Sequence, residues 1–154
     1  MLNVRLLILA VSILASTERA LSQEREWSLD ASDQDAFLVF GVPQTDDVGL
    51  SFWCKIGSGS VAMFYPVTWR NLPDNSVVTV RAEIESTKLT FKGKASARSN
   101  GAPASLEVVL KPDAKLFKSM KMSDHIVLKV RGHSAAYPLS GADVDGLLSL
   151  CQRS

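Results

Sequence analysis

Two cysteines, two histidines and a scatter of aspartates are what this chain offers to chemistry. Cys54 and Cys151 show no C-x-x-C spacing and have no histidine beside them, which is not the pattern of a metal site. His125 and His133 flank the turn residues Arg131-Gly132, near the open end and the turn of one predicted ribbon, so they do not share a ligand sphere. Gly57-Ser58-Gly59-Ser60 offers a serine without the strand-to-helix setting of a nucleophile elbow and reads as a hairpin turn. Asp30, Asp33 and Asp35, with Ser28 and Ser32, are weak calcium candidates; their spacing is not that of an EF-hand, and a solvated turn is the preferred reading. Asp46 and Asp47 follow Pro43-Gln44-Thr45 and read first as turn chemistry. Paired with a carboxylate from the Asp30 to Asp35 loop at about 5 to 9 Å, they would instead suit a carboxylate-dependent hydrolase. No phosphate loop is present, and no cofactor is expected.

Residues suited to binding are better represented than residues suited to catalysis. Trp53 alternates away from Leu50, Phe52 and Cys54, so it faces solvent, a partner, or a second layer such as a helix or loop. With Trp69 and Arg70 it would make a binding patch, since aromatics and arginines dominate interface energetics. Lys88, Lys92 and Lys94 form a basic stretch whose one aromatic, Phe91, points inward, and nucleic-acid binding normally interleaves exposed aromatics with its cations. Charge is bipolar along the chain. Residues 23–87 hold ten acidic against four basic side chains, a net of −6, and residues 88–131 hold ten basic against three acidic, a net of +7. A polyanionic envelope component or an envelope protein is the expected partner, and nucleic acid is not.

The elements that must position these residues are short strands. Val48, Leu50, Phe52, Cys54 and Ile56 alternate with polar or outward residues, and Gly57-Ser58-Gly59 turns this strand back so that 52–54 and 62–64 form a hairpin. The same period recurs at Val78 to Ile84, at Leu89 and Phe91, at Leu106 to Leu110 and at Ile126 to Val130, with further strands at Trp27 to Leu29, Phe37 to Phe40 and His133 to Leu139. Residues 95–104, with Asn100-Gly101 and Pro103, read as a loop. Leu116, Phe117 and Met120 have helical spacing, and Val144, Leu147, Leu148 and Cys151 form one face of a second helix that Ser140 and Asp143 would open as a capping box. The predicted fold is mainly β, an antiparallel sandwich or barrel-like sheet of eight or nine short strands with one short internal helix and a C-terminal helix. Both cysteines fall on core-facing positions.

Residues 1–22 read as a signal peptide: a basic start at Arg5, an apolar run from Leu6 to Ala15, and a small-x-small site at Ala20-Leu21-Ser22. The mature chain is expected to begin at Gln23 and to form a single domain over 23–154, with no spanning segment once the signal is removed. Periplasmic or secreted localisation follows, and there the even cysteine count predicts a disulfide between Cys54 and Cys151. Its closure of nearly a hundred residues removes about 4 to 5 kcal/mol of unfolded-state freedom in the chain-entropy model.

The run Gly41-Val42-Pro43-Gln44-Thr45-Asp46-Asp47-Val48, with Phe52-Trp53-Cys54 and Gly57-Ser58-Gly59, resembles small secreted proteins of alphaproteobacteria. The tail from Tyr137-Pro138-Leu139-Ser140-Gly141 into the closing apolar helix is similar in style to the invasion-associated locus B family of periplasmic sandwiches, over less than a fifth of the chain and without that family's paired-cysteine pattern. The resemblance implies fold and compartment, and it carries no catalytic residue. The sequence therefore points to an exported binding module more than to an enzyme. A carboxylate hydrolase, or an inhibitor of an exported hydrolase presenting the loop Val67 to Asn75, are the alternatives.

Overall fold

The computed structural model describes residues 24–67, 72–96 and 104–152. The expected signal peptide, Trp69, Arg70 and most of the 95–104 loop lie outside these residues. Alternating apolar residues build nine strands: β1 (Glu26–Ala31), β2 (Asp35–Gly41), β3 (Val48–Lys55), β4 (Val61–Val67), β5 (Val77–Ile84), β6 (Thr87–Ser96), β7 (Ala104–Leu110), β8 (His125–Val130) and β9 (His133–Pro138). They join in one antiparallel sheet, in the order β1-β2-β3-β4-β7-β6-β5-β8-β9, curled into a half-barrel. Of the two forms the strand pattern allowed, the chain takes the barrel-like one. Two short helices accompany the sheet among the described residues, α1 (Lys115–Met120) between β7 and β8, and α2 (Val144–Gln152) after β9.

A curled sheet must fill its hollow, and the period of two supplies the filling. Leu38, Leu50, Phe52, Met63, Val80, Leu106, Ile126 and Leu128 point into the curl and have no exposed surface. Burying each such side chain contributes about 1.5 to 3 kcal/mol. Leu116 and Phe117 of α1, with Val144, Leu147 and Cys151 of α2, complete this core from the helical side. Both helices therefore lie against the inner face of the sheet.

The terminal helix is held at both ends. Asp143 accepts the Gly146 N–H through Oδ1 at 2.8 Å, and its carbonyl accepts from Leu147, so Asp143 is itself the cap. The expected box opening at Ser140 does not form, because Gly141 adopts φ +82° and cannot begin a right-handed helix. At the other end, Gly57 and Gly59 of the β3–β4 turn donate their N–H groups to the carbonyls of Leu150 and Cys151. Both glycines have positive φ, 74° and 67°, which aims the amides at the helix end. Cys54 and Cys151 form the predicted disulfide, with Cα atoms 5.7 Å apart across a separation of 97 residues.

The sheet edges, β1 and β9, meet through side chains. Trp27 Nε1 donates to the Pro138 carbonyl at 2.6 Å, and Tyr137 packs edge-on against Phe40 and Tyr65, with ring centroids 5.9 and 6.4 Å away. Burial pushes the Tyr137 phenol up to about 12, with Tyr65 adding to the rise and Arg25 opposing it.

Candidate binding site

What the core does not use is the outer face, and there the strands on the β2 side carry rings. Phe37 of β2 and Trp53 of β3 are neighbours in register, with ring centroids 6.5 Å apart. Trp53 Nε1 donates to Asp35 Oδ1 at 3.2 Å, which fixes the indole in its plane. Because α2 covers the opposite face, the packed-beneath-the-helix reading of Trp53 does not hold; the indole stands outward and half-buried. Val39, Phe64 and Pro66 extend the wall, and the rings and carboxylates enclose a groove of about 750 Å³. Phe37 remains 42 % exposed, and Val109 of β7, beside the groove, 65 %.

Both ionisable residues that line the groove are acids. Asp35 opens β2, and Asp46 sits just before Val48, which pairs with Gly41 at the other end of β2. Six residues of extended chain separate those ends by about 20 Å. Asp47 is engaged elsewhere, in an ion pair with Arg25. Asp46 and the turn carboxylates thus stand well outside the roughly 5 to 9.5 Å that paired-acid hydrolysis requires. In the turn itself Ser32 Oγ accepts the N–H groups of Gln34 and Asp35, and Asp35 serves Trp53. Among the described residues no three Asp, Glu, His or Cys side chains converge as a metal site, and Asp30 and Asp33 are exposed.

Lys88, Lys92 and Lys94 project from the outer face of β6, two strands beyond β4. They do not join Trp53 in one site. Register places Lys88 opposite Glu83, Lys94 opposite Glu107, and Lys92 opposite Thr79, whose hydroxyl accepts from Lys92 Nζ at 3.1 Å. Arg81 and Lys129 complete this basic half of the face: they are direct cross-strand neighbours on β5 and β8. Their outward parity was readable; the adjacency of β5 and β8 was not. Lys129 Nζ bonds Glu83 at 2.6 Å and holds that carboxyl below the usual range. His125 lies opposite Pro138 and His133 opposite Val130, at the two ends of the β8–β9 ribbon as expected.

No family model, curated protein or solved structure matches the chain. The geometry of the outer face is the ground on which a function can be read.

Proposed function

We propose that this protein is an exported cell-envelope binding module whose aromatic groove receives an extended, apolar peptide segment of an envelope protein with basic groups towards its ends. The observation that carries the reading is the Phe37–Trp53 pair on the solvent side of the sheet, with the indole fixed by Asp35. Half-exposed rings on an outer face add nothing to the core, and aromatics of this kind anchor interfaces. Strand β2, which runs along the groove, reaches about 20 Å, room for an extended segment of similar length, and Asp35 and Asp46 towards its two ends supply the charge complement. A disulfide is compatible with export, and no described helix is long and apolar enough to cross a membrane. The likeness to small secreted proteins of alphaproteobacteria points the same way.

A photoactivatable residue at Val39 in the exported protein tests this. A discrete adduct is expected, with the captured segment apolar and flanked by lysine or arginine; Trp53→Ala removes it while the circular-dichroism melt stays cooperative and within a few degrees of the parent. No adduct, an adduct indifferent to Trp53→Ala, or an acidic captured segment would each sink the reading.

A further inference from the structure

A second concavity, of about 640 Å³, lies on the basic half of the face, between the start of β5 and the β8–β9 hairpin. We propose that it is a binding site for a phosphate group, with Arg81 and Arg131 as the principal contacts and Lys129 as a supporting cation. This goes beyond the peptide groove and does not depend on it.

The argument begins with a cost. Arg81 and Lys129 face each other as Cα partners, and like charges directly opposite on a sheet destabilise it. Glu83 relieves chiefly Lys129, through the 2.6 Å ion pair, and reaches Arg81 only through its field. The guanidiniums of Arg81 and Arg131 make no hydrogen bond or ion pair among the described residues. Arg131 is set at the hairpin tip by a turn in which it and Gly132 both have positive φ, 47° and 85°, as the two-residue turn between Val130 and His133 demands. Among the described residues no aspartate or glutamate lines the cleft. Its walls instead add hydroxyls at Thr79 and Ser134.

These features together match a phosphate better than a carboxylate. Two guanidinium forks present more donors than one carboxylate can accept, and they fit the oxygens of a phosphate in bidentate fashion. A phosphate carries up to two negative charges, which offset the local excess that Glu83 leaves uncompensated. The neighbouring lysines of β6 extend the same positive field and would draw anions towards the cleft.

The same chemistry is offered by a free phosphate ester and by a lipid headgroup, and two probes separate them. Glucose 6-phosphate is titrated into the full mature protein at constant ionic strength, with heat and amide chemical shifts read; in parallel, sedimentation is measured with vesicles of phosphatidylglycerol in phosphatidylcholine. Binding of either probe, weakened at least tenfold by Arg81→Gln combined with Arg131→Gln, supports the site and names the source. The parent melting temperature should be kept or raised in that variant, because a like-charge pair is removed. Trp53→Ala should leave this binding unchanged, which separates it from the groove. Failure of both probes to bind overturns the proposal, as does binding that the double variant retains or that disappears when chloride alone is raised to match.

Discussion

The outer faces of β2, β3 and β4 and of β5, β6 and β8 come from the same alternation and stand on the same core, yet one carries rings and the other cations. Phe37, Val39, Trp53 and Phe64 occupy the outward positions of the first half; Arg81, Lys88, Lys92 and Lys129 occupy those of the second. Between them the Lys94–Glu107 pair and Ser105 form a polar boundary. Inward positions on both halves are filled by leucine, valine, isoleucine and phenylalanine with no comparable contrast. Folding constrains the inner face alike throughout, and under the two proposals the contrast between the halves reflects what each half meets. The ring pair adds at most about 0.2 to 1 kcal/mol as a cross-strand contact, and the opposed cations cost stability.

The most drastic way to break the comparison is to remove its common support. A chain ending at Leu139 loses α2, the disulfide and the cap made by Gly57 and Gly59. The bridge alone is worth about 4 to 5 kcal/mol in the chain-entropy model, against a typical total stability of about 5 to 15 kcal/mol. We expect no cooperative melt, and the loss of both binding activities together. A truncated chain that melts like the parent would show that the helix is not part of the shared core.

A finer cut uses two adjacent residues. Phe52 has no exposed surface and packs edge-on against Phe117, whereas Trp53, one position on, faces outward. Phe52→Ala should cost about 3 to 5 kcal/mol in urea unfolding and weaken both halves through instability. Trp53→Ala should cost about 1 kcal/mol or less and silence only the groove. Equal losses for the two would mean that the outer rings are structural.

The smallest effect concerns the seam, where Tyr137 of β9 meets Phe40 of β2 and Tyr65 of β4. The folded phenol titrates near 12, above its ordinary value of 10. Stability from keeping it neutral is fully present below pH 10 and is lost as pH rises from 10 to about 12, because the unfolded chain ionises first. Tyr137→Phe should flatten that alkaline decline by urea midpoint, with little change at neutral pH. An unchanged decline would place the alkaline sensitivity elsewhere.

Strand content, the hairpin at Gly57 and the inward placement of both cysteines were legible because they follow from local period and spacing. The order β4-β7-β6-β5-β8 was not, since pairing distant segments depends on the whole packed sheet rather than on any one of them. That order is what separates Trp53 from the lysines and brings Arg81 beside Lys129. The helix start was misplaced for a local reason: Ser140 and Asp143 have the right chemistry and spacing, and the positive φ of Gly141 puts Ser140 outside the helix. Asp46 and the turn aspartates looked close because the chain between them is short, but that chain is an extended strand.

Cys151 follows all nine strands in sequence, and its partner sits on the third. Synthesis delivers the N-terminal part first, so this covalent link is forged only after every strand has been made. It cannot guide the early strands while they are being made; in the folded chain it acts as a latch between the third strand and the terminal helix.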